Sequence, residues 1–167
     1  RKGRAMNGVY VPFWTFDADS SSRYSGERGE YYYETRTVQV RVNGKIETRQ
    51  EQVRRTRWFP ASGRVARDFH DVLIMASRSL PERLGDELTP WDMGDLVPYS
   101  PEFLAGFQSE GYTVSLSDGH GEARDRMSNV IVQDVRRDIG GDEQRVHDVD
   151  TDWRDETFKH ILLPVWT

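Results

Sequence analysis

Strand-like segments of hydrophobic and polar residues make up most of this chain, and one long segment near residues 117–139 has a clear helical period. Residues 8–17 (GVYVPFWTFD) read as a strand, with Pro12 confining it to an edge or a bulge. Ser20–Gly29 is polar and rich in Gly and Ser, and reads as irregular strand or loop. Tyr31–Val42 and Lys45–Phe59 then flank Asn43-Gly44, the pair that a type I′ hairpin turn prefers. Pairing Val42 with Lys45 sets Arg36 opposite Glu51, a favourable cross-strand pair, and Val40 opposite Glu47. Aromatic residues (Tyr31–Tyr33, Trp58, Phe59) mark the base of this hairpin, and its tip is almost wholly polar.

Arg64–Ala76 reads as a further strand, Ser79–Leu88 as a short helix capped by Ser79 with Pro81 in its first turn, and Thr89–Pro101 as a loop. A strand is expected around Tyr112–Ser115. From Ser117/Asp118 to Ile139 the apolar residues Ala123, Met127, Ile131, Val135 and Ile139 step by four, and Gly140-Gly141 closes the segment. That pattern predicts an amphipathic helix with a glycine C-cap. Gln144–Trp153 and Glu156–Thr167 read as two strands joined at Arg154-Asp155. The expected fold class is α+β: a mostly antiparallel, curved sheet packed on one long amphipathic helix, with a projecting β-hairpin arm.

A length of 167 residues fits one domain spanning 1–167. Hydrophobic residues are only 36% of the chain, but five Trp, seven Tyr and seven Phe enlarge the area it can bury. With 31% charged residues and a net charge of −5, the composition is not that of a nucleic-acid-binding protein on average. No apolar run approaches the length of a membrane span, and no signal-peptide pattern opens the chain, so a cytoplasmic location is expected. Zero Cys excludes disulfides and Cys-based zinc sites in this stretch. A start at Arg1 and a stop just after an apolar run read as a fragment of something longer. A faint echo between VYVPFWTF (9–16) and ILLPVWT (161–167) leaves both a duplicated half and chance open.

No catalytic constellation emerges. His70, His120, His147 and His160 are scattered; the His70-Asp71 doublet lacks companion metal ligands. Asp148, Asp150 and Asp152 alternate like a calcium loop, but Trp153 stands where that loop needs Gly and Lys159 where it needs Glu, so a solvated strand face is expected. No phosphate loop, nucleophile elbow or zincin helix is present. Gly119-His120-Gly121 reads as an ordinary loop at the helix start rather than an anion site.

Two charge placements are less ordinary. At about 100° per residue, Asp134 falls about 20° from Ala123 and Asp138 about 60° away, inside the apolar arc. Carboxylates there require partners, and the expectation is structural ion pairing with Arg64, Arg67 or Arg145, ahead of ligand binding. Charge is also segregated. Glu34–Arg57 carries Arg36, Arg41, Lys45, Arg49, Arg54, Arg55 and Arg57 against three Glu, net +4, whereas Asp138–Glu156 has net −6. The basic residues are candidate contacts for nucleic-acid phosphates or for a protein partner. The aromatics at the hairpin's base, away from its tip, favour a solvated hairpin or one that meets a protein or another copy of itself.

Several segments together carry a family resemblance: GVYVPFWTFDADSSSRYSGERGEYYYET, TRWFPASGRV with DVLIMASRSLP, DLVPYSPEFLAGFQSEGY, and DVRRDIGGDEQRVHDVDT with TFKHILLPVW. They resemble the region that follows the zinc ribbons in bacterial TFIIB-type zinc-ribbon proteins, whose members often carry primosomal protein N′ or replication-restart helicase-like labels. The resemblance implies a Cys-rich zinc-binding part before Arg1 and a further strand pair after Thr167. It places no cofactor, zinc ligand or catalytic position within this chain, and no Walker-type loop supports the helicase label here. The leading expectation is a non-catalytic binding or scaffold module of a larger zinc-ribbon protein that contacts a protein or its own copy. The alternative is a nucleic-acid-associated accessory module that uses the basic hairpin at 34–57. An enzyme built around Asp134 and Asp138 is a remote third.

Overall fold

The structure, a computed structural model, describes residues 8–78, 96–101, 108–109 and 113–166. Along the chain come β1 (Gly8–Val42), β2 (Lys45–Met75), β3 (Gln108–Ser109), α1 (Leu116–Ile139) and β4 (Glu143–Trp166). β2 and β3 lie on either side of β1, and β4 also pairs with β1. The fold of the described residues is therefore α+β and mostly sheet. Its long strands are antiparallel, and the two-residue β3 joins β1 in parallel through Val9↔Gln108 and Tyr10↔Ser109.

The strands are longer than composition suggests. Of the two readings of Ser20–Gly29, strand or loop, strand is what the structure has: the segment lies inside β1. Its residues alternate as a strand's should, with Ser20, Ser22, Tyr24 and Gly26 buried and the residues between them more exposed. Lys45–Phe59 and Arg64–Ala76 are one strand, because β2 is an edge strand and Pro60 needs no ladder partner there. Pro12, in contrast, sits on the inner strand, and its carbonyl accepts from Ala76 N–H at 2.9 Å. The final two strands are likewise one, β4; Asp155 adopts φ 52° within it, a local kink where a turn is expected. Thr113–Ser115 is not strand, and Tyr112 and the helix expected at Ser79–Leu88 lie outside the described residues.

The chain divides into two compact units, and β1, β2, α1 and β4 each supply residues to both. The first comprises Arg1–Ser20, Ala66–Val130 and Asp152–Thr167. Its core gathers Val11, Phe13, Ile161 and Leu163, with Leu73 and Met75 against them. Nearby, Trp14 Nε1 donates to the Val114 carbonyl at 3.0 Å, and the Trp14 ring meets His160 edge-on at 3.8 Å. Ser115 caps α1, its Oγ accepting from Asp118 N–H at 3.1 Å, so the helix starts at Leu116. Gly119 is buried, and a Cβ there would stand 3.1 Å from Trp14 Cδ1. The glycine permits close packing on β1, and Gly119-His120-Gly121 lies within the first turns of α1, not in the ordinary loop expected. β2 carries a bulge in this unit. The Asn43-Gly44 turn sets Val42 opposite Lys45 and Pro12 bonds Ala76, so β1 runs 30 residues (42 − 12) while β2 runs 31 (76 − 45). The extra residue is Asp71, at φ 54°, whose N–H is satisfied by Asp17 Oδ1 at 2.7 Å.

The second unit comprises Ser21–Val65 and Ile131–Thr151. Ile131, Val135 and Ile139 of α1 are buried in it, as Ala123 and Met127 are in the first. α1 ends at Gly140 and Gly141, both left-handed (φ 67° and 73°), with Gly140 N–H returning to Arg136 O at 3.0 Å. Gln144 Nε2 caps the Gly140 carbonyl at 2.9 Å. β1 and β4 approach closely in this unit: Ser22 and Thr151 share a hydroxyl bond of 2.8 Å, and Asp142 N–H donates to Gly29 O at 2.8 Å.

Candidate functional site

The hairpin of the second unit is built from its turn outwards. Asn43 and Gly44 have φ 51° and 78°, the two positive values of a type I′ turn, whose twist suits the flanking strands. Arg36 Nη2 then meets Glu51 Oε2 across the strands at 2.9 Å. Arg49 pairs with Glu47 at 3.4 Å and Arg55 with Glu34 at 3.4 Å. Each pair is more than half exposed, so each contributes between nothing and about 1 kcal/mol. Arg41 and Lys45 are exposed near the turn.

The aromatic base of the hairpin is covered by guanidinium groups. Arg54 lies 4.3 Å over Tyr31, Arg57 lies 4.8 Å over Tyr32, and Arg28 lies 5.9 Å from the Phe59 ring centre. Arg145 of β4 sits 3.8 Å over Trp58 and 3.7 Å from Glu27. Such contacts are worth about 0.5–1 kcal/mol at exposed sites. Of the basic residues singled out in sequence, Arg36, Arg49 and Arg55 are thus tied to carboxylates and Arg54 to a ring. The ring pairings carry a sequence signal, since Arg54 and Arg57 stand diagonally across from Tyr31 and Tyr32 in the register that Asn43-Gly44 dictates.

The two helix carboxylates lie apart from this hairpin in role. Asp134 is 13% exposed and stands 3.5 Å from Arg137, one turn on. Asp138 accepts a 2.5 Å hydrogen bond from the Tyr24 hydroxyl. Arg64 instead donates to Ser21 Oγ at 3.2 Å, and Arg145 is engaged with Glu27 and Trp58. Nothing in the spacing of Tyr24 and Asp138 announces their pairing; only the position of Tyr24 on the buried face of β1 hints that its hydroxyl needs an acceptor. Burial, with the Asp138 carboxylate beside it, pushes the Tyr24 hydroxyl up to about 12. In the unfolded chain Tyr24 ionises near pH 10. Its contribution to stability is therefore complete below pH 10 and falls away as pH rises from about 10 to 12. The melting temperature should drop between pH 9 and pH 11 more steeply for the parent than for Tyr24→Phe, and parallel pH profiles would show that Asp138 does not hold the hydroxyl.

The first unit has a half-open recess of about 510 Å³ beside the start of α1. Phe16, Leu116, Met127 and Phe158 supply apolar walls, and His120 and Glu156 the polar rim. His120 Nε2 stands 3.4 Å from Glu156 Oε1, and Arg124 bonds the same carboxylate. Burial opposes ionisation of Glu156, but the hydrogen bonds from Arg124 and His120 outweigh it and hold its carboxyl below the usual range. An ionised, doubly held carboxylate anchors; it is not poised to donate a proton. Elsewhere in this unit, burial and the neighbouring Asp68 and Asp155 raise the Asp19 carboxyl.

The histidines do not converge. His147 pairs with Glu27 at 3.0 Å, His160 meets Trp14 edge-on, His120 meets Glu156, and His70 is exposed. Asp148, Asp150 and Asp152 are exposed along β4, with Asp152 bonded to Arg154 at 2.9 Å. Among the described residues no three His, Asp or Glu side chains form a group that could hold a metal ion, and no helix is long and apolar enough to cross a membrane. In the comparisons with known proteins, no protein-family model, no curated protein and no solved structure matches the chain.

Proposed function

We propose that this chain is a non-catalytic binding module of a larger zinc-ribbon protein, and that its contact element is the β1–β2 hairpin, projecting as an arm. The observation that carries the reading is burial. From Tyr33 through Arg54 nearly every residue on both faces of the strand pair is exposed or at most half-buried, and Tyr33 and Ile46 are 63% and 65% exposed. A two-stranded hairpin alone in water is marginal. This one is reinforced by a type I′ turn, three ion pairs and two stacked arginines, and it gives the fold almost no buried area in return. Support for the zinc-ribbon setting comes from the four stretches of sequence that resemble that family.

Two classes of partner suit such an arm. A protein, or a second copy of the chain, would add to the edge strand β2. A nucleic acid would accept the hairpin's surplus cations. Replacing residues 36–51 with Asn-Gly keeps Thr35 opposite Gln52 and removes the tip. A contact arm predicts that this shortened chain melts within about 2 °C of the parent, the change expected for less than 1 kcal/mol. It should also lose whatever self-association the parent shows by sedimentation and whatever oligonucleotide it retains by filter binding. A shortened chain that melts far lower, or that retains all binding, would mean the hairpin serves the fold or that contacts lie elsewhere.

A further inference from the structure

The two faces of the hairpin differ in a way its net charge conceals. Side chains alternate across a strand, and with Arg36 opposite Glu51 every odd residue of β1 shares a face with every even residue of β2. One face carries Glu34, Glu47 and Glu51, their arginine partners, and the half-buried Val38, Val40, Val42 and Val53. The other carries Thr35, Thr37, Gln39 and Arg41 from β1, and Thr48, Gln50, Gln52 and Arg54 from β2, with the exposed Tyr33 and Ile46 at its base and tip. From Tyr31 to Thr56 that second face holds no carboxylate, and those side chains are all exposed.

Resting on the reading of this hairpin as a contact arm, we propose that its carboxylate-free face enters the major groove of duplex DNA. Three features of the face carry the inference. Its side chains are the kinds that read base edges there: glutamine pairs with adenine N6 and N7, arginine with guanine O6 and N7, and the threonine methyl packs on that of thymine. A two-stranded β-ribbon also fits the groove, which is about 12 Å wide and admits such a ribbon or a helix. Segregation of charge is the third: a face meant for the most negative surface in the cell must be free of carboxylates, and all three glutamates of the hairpin lie on the reverse. There they hold Arg36, Arg49 and Arg55 on that reverse face. Arg54, held 4.3 Å over the Tyr31 ring, presents its planar fork with less rotamer freedom to lose on binding than a lone surface arginine. A protein-binding β-edge, which reads mainly backbone, has no need of this asymmetry between faces.

The test compares two double variants of equal charge. Gln39→Glu/Gln50→Glu places two carboxylates on the proposed reading face, and Arg49→Gln/Arg55→Gln removes two cations from the reverse. Fluorescence anisotropy with a mixed-sequence duplex, at low and moderate salt, should show parent binding that weakens as salt rises. The first variant should lose about a hundredfold in affinity, since each misplaced carboxylate faces base-edge acceptors instead of making a pair worth about tenfold. The second should lose only several-fold and show a shallower salt slope. Methylation of guanine N7, which lies in the major groove, should interfere with parent binding. Equal losses in the two variants, or binding indifferent to N7 methylation, would overturn groove entry. So would a parent that ignores duplex DNA while its self-association depends on the hairpin, which leaves the contact arm standing with a protein partner. Duplex binding that survives the Asn-Gly shortening would overturn the contact arm itself.

Discussion

Gly26→Ala should cost the protein about 3 kcal/mol and lower its melting temperature by about 6–12 °C. A single methyl group ordinarily does the reverse in a strand, because alanine loses less chain entropy on folding than glycine. At this position it has nowhere to go. An ideal Cβ on Gly26 would stand 2.1 Å from the Arg145 carbonyl oxygen, with the Arg145 carbonyl carbon at 3.2 Å and Ile139 Cδ1 at 3.3 Å. The first two are backbone atoms of β4, so no rotamer change relieves the contact, and the strands themselves must separate. Gly121→Ala is the internal control. That glycine is in α1 with nothing within 4 Å of an added Cβ, so alanine there should stabilise by up to about 1 kcal/mol. Chemical denaturation of both variants checks the pair. A Gly26→Ala protein as stable as the parent would mean that β1 and β4 do not approach this closely.

Gly26 also shows why parts of this fold were hard to read. Elements marked by strong local chemistry were legible. Asn43-Gly44 set the hairpin turn and with it the Arg36–Glu51 pairing, and Gly140-Gly141 set the end of α1. The residues stepping by four from Ala123 to Ile139 are the ones α1 buries. Ser20–Gly29 left strand and loop both open because strand signals rest on bulky apolar residues, whereas its buried positions are Ser20, Ser22, Tyr24 and Gly26. Small residues are what close approach of neighbouring backbone demands, and their period of two was the available signal. Asp71 and Asp155 were opaque for another reason. Aspartate tolerates a left-handed backbone, but nothing in one sequence separates a left-handed residue inside a strand from one in a turn. In the candidate site, charge and register were visible, so the hairpin's faces could be derived. The tie between Tyr24 and Asp138 spans 114 residues and follows only from the packing of one unit.

Trp14 should prove the most sensitive side chain of the first unit, with Trp14→Ala costing about 4 kcal/mol. That is a large share of the roughly 5–15 kcal/mol that typically separates a folded domain from its unfolded chain. The side chain is 6% exposed, packs edge-on against His160 and Phe158, and bonds the carbonyl of buried Val114. Trp14→Phe separates the terms: it keeps much of the apolar volume and leaves that carbonyl without its indole donor, a loss of about 1–3 kcal/mol. Gly119 supplies a stricter check. In the parent, Gly119→Ala sets a methyl 3.1 Å from Trp14 Cδ1 and should be neutral to destabilising, because the crowded ring must give way. In the Trp14→Ala background the obstruction is gone, and the same substitution should stabilise by about 1 kcal/mol through helix propensity. The two substitutions should therefore couple, with Gly119→Ala changing sign between backgrounds in urea titrations. Strict additivity would show that the start of α1 is not seated on Trp14, and a glycine in the first turn of that helix would then have no packing reason.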